Sequence, residues 1–281
     1  MLIKITVTNY RDIHNKISFN LNNSFNIFTC NYDKVEDSII SLIKLFYKIL
    51  TVGGAIKDSD IKENTCIKYE FKVSENIYTL TIKNLLINFS STEFYPIYRT
   101  NCIDSNIVIW GALNDINLSK SYLNNEEVNS TEGLREQIYH TDYHNYIIKN
   151  IMQHLLILEP YNSVIINQLD HVHSALLKTY LPEIVRVSKE KNIILNIFSN
   201  SSYLLNTFRL LLKEEKLNKG NIMINHINSS FSIGDTDIYT IADNIILNDD
   251  GKLEMIKHGR TYATPKSFIP NIELGLMSKL F

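Results

Sequence analysis

The chain opens on an alternation of apolar and polar positions. Leu2, Ile3, Ile5 and Val7 within LIKITVT mark a half-buried strand over residues 2–8, which Tyr10-Arg11 ends. A second strand is predicted at about Lys16–Leu21, with Ile17, Phe19 and Leu21 on one side. Asn26-Ile27-Phe28 then leads into a turn of about eight residues and a helix from about Asp37. Ile39, Ile40, Leu42, Ile43, Leu45, Phe46, Ile49 and Leu50 cover nearly the whole circumference of that helix, so it is expected to be buried on more than one side. Gly53-Gly54 closes it. From Cys66 to Phe89 two alternating runs flank Ser74-Glu75-Asn76, the pattern of an antiparallel hairpin.

A short apolar strand at Asn106–Trp110 precedes a polar, aperiodic stretch, 111–135, that reads as a connection. A helix is expected from about Glu136 to Leu158, stopped by Pro160. Then come a strand at Ser163–Asn167, a helix at Ser174–Lys189, a strand at Asn192–Phe198, a helix at Ser202–Lys216 and a strand at Asn221–Asn225. The last element is a hairpin, DNIILNDDGKLEMIKHG, turning at Asp249-Asp250-Gly251. Strands alternating with helices in the second half imply a parallel sheet covered on both faces. The expected class is α/β: a mixed sheet with helices on both faces, an antiparallel β part and a helical lobe. One domain, 1–281, is expected, with an N-terminal lobe over about 1–110, a connecting helical part over about 111–160 and a second half over about 161–281.

Composition narrows this little. The 281 residues suffice for a full core, and 44% hydrophobic with 21% charged residues is ordinary for a globular chain. A net charge of −2 without a Lys/Arg run gives no electrostatic case for nucleic acid. Cys30, Cys66 and Cys102 are odd in number and form no C-x-x-C pair, which suits reduced thiols in a cytoplasmic protein and not a disulfide framework or zinc site. Neither a signal peptide nor a transmembrane segment is expected.

Strand, eight-residue turn and helix are the outline of a phosphate-binding loop, whose turn reads GxxxxGK[ST]. Here Cys30 and Val35 hold the glycine positions, Glu36 the lysine position and Asp37 the hydroxyl position. Asp33, Glu36 and Asp37 would face a nucleotide's phosphates with only Lys34 in opposition. Like charges a few ångström apart cost ~1 kcal/mol in water and several at intermediate dielectric. Cys30 and Val35 also resist the positive-φ conformations that glycine supplies. The frame is kept and its chemistry replaced.

The same replacement recurs downstream. In a P-loop ATPase a second strand ends in a magnesium-ordering Asp followed by a catalytic Glu. Here Val164-Ile165-Ile166 is followed by Asn167 and Gln168, amides that keep the size of the acids without their charge. Further on, IILNIFSNSSYLL stands where a strand and switch segment would read THSPYLL, with Ser199 and Asn200 at the Thr and His positions. With the opening strand ending in Tyr10-Arg11, Asn26-Ile27-Phe28 and the segment Leu169–Ala175, the chain resembles ABC-type ATPase heads of the RecF, SMC and OLD-like group. The resemblance spans most of the chain. No LSGGQ-like segment stands near Tyr143-His144-Asn145-Tyr146, where the family would place it, and Ser130-Thr131-Glu132-Gly133 lies too far upstream.

The resemblance implies a vestigial nucleotide site at Cys30, Asp33, Lys34, Val35, Glu36, Asp37, Asn167, Gln168 and Asn200, with no catalytic residue, cofactor or metal. A scaffold or regulatory subunit acting through a protein partner or a self-dimer is then expected. Nucleic acid, DNA maintenance and anti-phage defence enter by family analogy alone. The rival readings are a divergent ATPase that still binds nucleotide, the non-catalytic half of a heteromeric ATPase, and a metal-dependent nuclease built on Asp170, His171 and His173. That last cluster reads more simply as a solvated loop. His140 and His144 share a helical face but lack a third ligand nearby. The tail from Tyr262 ends in GLMSKLF, and its Leu274, Leu276, Met277, Leu280 and Phe281 call for cover, either on the chain itself or on a partner.

Overall fold

The computed structural model describes residues 1–52, 61, 64–73, 75–83, 86–89, 107–110, 148, 151–153, 155–158, 162–167, 169, 172, 174–231, 238–247, 253–257 and 260–263. Outside them lie Gly53-Gly54, the 111–135 connection, His140, His144, Gln168, Asp170, His171, His173, the Asp249-Asp250-Gly251 turn and the tail beyond Ala263.

Two sheets form. The first is antiparallel, in the order β2-β1-β4-β5-β6, from β1 (Leu2–Thr8), β2 (Ile17–Asn20), β4 (Cys66–Val73), β5 (Asn76–Lys83) and β6 (Leu86–Phe89). The expected hairpin is present as β4 and β5, but the run IYTLTIKNLLINF is two strands: Lys83 pairs back on Leu86. In β1 the register shifts between Leu2 and Lys4, so Leu2, Ile5 and Val7 are all buried although strict alternation would put Leu2 opposite the other two.

The second sheet runs β13-β12-β11-β10-β3-β9-β8-β7. Its parallel part holds β3 (Phe25–Cys30), β7 (Ile107–Trp110), β8 (Ser163–Ile166), β9 (Ile194–Phe198) and β10 (Ile222–Phe231). An antiparallel wing adds β11 (Ile238–Leu247), β12 (Leu253–Lys257) and β13 (Arg260–Ala263). The sheet is therefore mixed. β10 is also longer than the expected Asn221–Asn225, because beyond β3 it goes on pairing with β11 as far as Phe231. β3, from the first part of the chain, lies between β9 and β10 from the second.

Helix α1 (Asp33–Val52) is buried as its pattern requires. Val35, Ile39, Leu42, Ile43 and Phe46 share one core with both sheets, reaching Ile5, Tyr69 and Phe71 in the first and Phe28, Ile165 and Phe198 in the second. Phe46 meets Tyr69 and Phe71 at ring distances of 5.1 and 5.4 Å, and the Tyr69 hydroxyl donates to the Leu42 carbonyl at 2.9 Å. Full burial of side chains of this size contributes about 1.5–3 kcal/mol each. The other face of the second sheet is covered by α2 (Ser174–Glu190) and α3 (Ser202–Lys213), through Leu177, Leu181, Leu204 and Phe208 against Phe25, Ile27, Leu195 and Ile197. Helices on both faces follow from strands that are apolar at nearly every position, as β3 and β8 are.

Candidate functional site

The carboxyl edge of the parallel strands is where α/β ligand sites gather. β3 ends at Cys30 and α1 begins at Asp33, so only Asn31 and Tyr32 join them. The expected eight-residue turn, with a helix from about Asp37, is not what forms. The Tyr32 carbonyl accepts from the Val35 and Glu36 amides at 3.1 and 3.2 Å, closing the first turn four residues early. Two sequence features favour this. Val35 begins the apolar stripe that continues through Ile39 and Leu42, and Asp33 and Glu36 bring negative charge to the positive end of the helix dipole.

The edge is also tied shut by side chains. Asn31 Nδ2 donates to Asn228 Oδ1 at 2.7 Å and to the Ser229 carbonyl at 2.9 Å, while Asn31 Oδ1 accepts the Ser229 amide at 2.7 Å. Asn200 Nδ2 donates to the Cys30 carbonyl at 2.7 Å, and the Ser199 amide donates to the Phe28 carbonyl at 2.9 Å. A phosphate cradle needs free backbone N–H groups aimed at one point. Here the Val35 and Glu36 amides are spent inside the helix.

Electrostatics point the same way. Asp33, Lys34 and Asp37 are exposed and Glu36 half-buried, so three carboxylates stand beside one ammonium. Cys30 is buried; desolvation, then the Glu36 and Asp33 charges, push its thiol well above the usual range, which keeps it protonated and unreactive. Val35, at a glycine position, is fully buried core. The Ser38 hydroxyl, next to the aligned Asp37, donates to the Lys34 carbonyl at 2.8 Å and accepts the Asp12 amide at 3.4 Å, and it too is buried.

Of the sequence-derived positions, Cys30, Asp33, Lys34, Val35, Glu36 and Asp37 form one continuous corner, and Asn200 joins it through Cys30. Asn167 is half-buried at the end of β8, separated from β3 by β9. Gln168 lies outside the described residues.

Sequence reasoning missed a second polar row. Thr29, His226 and Asp243 sit side by side in register on β3, β10 and β11, and all three are buried. Thr29 Oγ1 and His226 Nδ1 are 2.8 Å apart. Burial lowers the His226 pKa, partly opposed by the Asp243 charge. Thr29 is only 5% exposed, and its 2.8 Å contact with His226 ties β3 to β10, with the Asp243 charge beside it on β11. A third row, Asn26, Asn196 and Ser163, crosses β3, β9 and β8: Asn26 Nδ2 donates to Asn196 Oδ1 at 3.1 Å, and Asn196 Nδ2 to Ser163 Oγ at 3.0 Å. No helix among the described residues is long and apolar enough to cross a membrane, and no group of three metal-ligating side chains gathers among them.

No family model and no curated protein matches the chain. Among solved structures it is similar to an Smc head bound to the C-terminal winged-helix domain of ScpA, at 9% identity and a TM-score of 0.49, covering 86% of this chain and 97% of the other. It is also similar to the SMC head domain from Thermotoga maritima, at 10% identity and a TM-score of 0.49, with the same coverage of 86% and 97%.

Proposed function

We propose that this chain is a catalytically inactive relative of ABC-type ATPase heads, working as a scaffold or regulatory subunit through a protein partner or a second copy of itself. The supporting observation is the two-residue connection between β3 and α1, fastened by Asn31 to β10 and by Asn200 to Cys30. An anion placed at the α1 N-terminus would meet the Asp33 and Glu36 carboxylates, with the Val35 and Glu36 amides already bonded to the Tyr32 carbonyl. The amide Asn167 at the end of β8 is consistent with this, since it offers magnesium no charge. A setting in DNA maintenance or anti-phage defence comes from the resembled group alone.

The test is titration calorimetry with Mg-ATP, combined with light scattering and thermal melting of the full chain. The reading expects no heat of binding and no change in mass or melting temperature. Micromolar binding, or a nucleotide-driven change from monomer to dimer, would overturn it.

A further inference from the structure

Side chains at alternate positions of β11 share one face of the wing: Tyr239, Ile241, Asp243, Ile245 and Leu247. Ile245 and Leu247 are buried in the core beneath α2 and α3, whereas Ile241 is 41% and Tyr239 55% exposed. Across the wing, Ile245 pairs with Met255 and Met255 with Tyr262, so Tyr262, 46% exposed, lies on this face as well. The cover that closes the lower part of the wing stops short of these three residues.

We infer that this face is the docking surface of the chain's own C-terminal tail, seated by the apolar groups of Leu274–Phe281 on Tyr239 and Ile241. The inference is independent of whether the chain binds nucleotide. The tail leaves β13 at Ala263, on the same wing and directly after Tyr262. Two strand spacings of about 4.8 Å separate β13 from β11, and four to six residues at about 3.4 Å separate the level of Tyr262 from Ile241 and Tyr239, a span of roughly 17–23 Å. β13 runs toward the Leu247 end of β11, so the chain must first turn back; residues 264–273 can extend over about 33 Å, which covers a tight turn and the return to the patch. The other exposed apolar groups suit the tail less. Met1 and Ile77 belong to the first sheet, before β1 and on β5; Tyr203 follows β9, five strands across the second sheet from β13, and Leu156 and Ile157 precede β8, six strands across. Leu274, Leu276, Met277, Leu280 and Phe281 supply more apolar surface than water tolerates uncovered, and Tyr239 with Ile241 offers matching surface.

The test places the photo-crosslinking residue p-benzoyl-phenylalanine at position 239 of the full chain, with position 77 as control. The expected result is a crosslink from 239 to residues 274–281 at monomer mass, with a yield unchanged over a tenfold dilution, and no tail crosslink from 77. Crosslinks at dimer mass that fade on dilution would overturn it in favour of a second copy. A photolysed 239 with no tail crosslink would place the tail elsewhere. As a second readout, removing 264–281 should raise solvent labelling of the Tyr239 ring; unchanged labelling in a folded truncated chain counts against the inference.

Discussion

Asn31 holds Ser229 as a neighbouring strand would: its carboxamide donates to the Ser229 carbonyl at 2.9 Å and accepts the Ser229 amide at 2.7 Å. Asn15 does the same for Thr240, donating to its carbonyl at 2.7 Å and accepting its amide at 2.8 Å. Ser229 and Thr240 are cross-strand partners on β10 and β11, with their hydroxyls 3.1 Å apart. Two carboxamides thus flank one residue pair where the β10–β11 ribbon leaves the sheet, replacing the ladder bonds that β3 and β12 no longer reach to supply.

The two clamps differ in burial, and that sets their cost. Thr240 is almost fully buried, so Asn15→Ala would leave a buried amide and carbonyl unpaired, at about 1–3 kcal/mol. Asn31 is exposed, water can replace it, and Asn31→Ala should cost about 1 kcal/mol or less. Urea unfolding of both variants checks the order. An Asn31 variant that is the less stable of the two would mean that the ribbon depends on the β3 side.

Restoring the missing letters should not restore the site. In Val35→Gly/Glu36→Lys/Asp37→Ser the lysine would enter a helix already closed from Tyr32, one turn away from any loop that could curl around a phosphate. The variant should bind Mg-ATP no better than the parent and should be less stable by roughly 2–4 kcal/mol, from a helical glycine and the loss of a fully buried valine. Calorimetry and denaturant unfolding read the two effects separately. Gained micromolar affinity would mean that the corner can reopen into a loop.

This corner also shows what was legible in the sequence. The strand, the helix, the burial of the helix on several sides and the helices on both faces of a largely parallel sheet all followed from periodicity, because burial dictates it. The helix start did not, because the phosphate-loop pattern assigns Asp33–Glu36 to the turn. Its own signal, an acidic first turn with Val35 heading the Ile39–Leu42 stripe, was present in the same letters. Asn31, Asn196 and His226 were not legible as ties at all. An amide or imidazole in a strand declares its role only once the neighbouring strand and register are known, and those pairings join residues some 170 to 200 positions apart.

The buried amide row gives a sharper stability test. Asn196→Ala removes an acceptor of Asn26 and a donor to Ser163 in a space closed to water, and should cost about 2–4 kcal/mol. Asn196→Asp keeps the acceptor but buries a carboxylate, so its loss should shrink as the pH is lowered and the acid becomes protonated. Chemical unfolding of the Asp variant at about pH 5 and about pH 8 reads this directly. Equal losses at both values would mean that water reaches the row.

Cys30 and Cys66 should separate under alkylation. Cys30 is buried, with its thiol held protonated by desolvation and by Glu36 and Asp33, whereas Cys66 at the start of β4 is half-buried. Native iodoacetamide labelling followed by peptide mapping should modify Cys66 well before Cys30, and urea should remove the difference. Early labelling of Cys30 would mean that the β3–α1 corner opens in the native state.

His226 makes part of the stability depend on pH. In the folded chain burial lowers its pKa below the ordinary 6.5, so the fold keeps the imidazole neutral at a pH where the unfolded chain already protonates it. Below 6.5 the unfolded state binds more protons than the folded one, so stability falls as the pH falls toward the folded pKa; above 6.5 this contribution is fully present. Thr29 at Nδ1 and Asp243 on the neighbouring strand both respond to the charge, but the Asp243 carboxylate opposes the shift and so limits its size. His226→Gln keeps a hydrogen-bonding group beside Thr29 and removes the titration. Its melting temperature should be lower than the parent's at about pH 7.5 and should fall less between about pH 7.5 and about pH 5.5. Parallel pH profiles for the two chains would show that the Thr29–His226–Asp243 row takes up its proton as readily folded as unfolded, and the tie among β3, β10 and β11 would then have to tolerate an imidazolium.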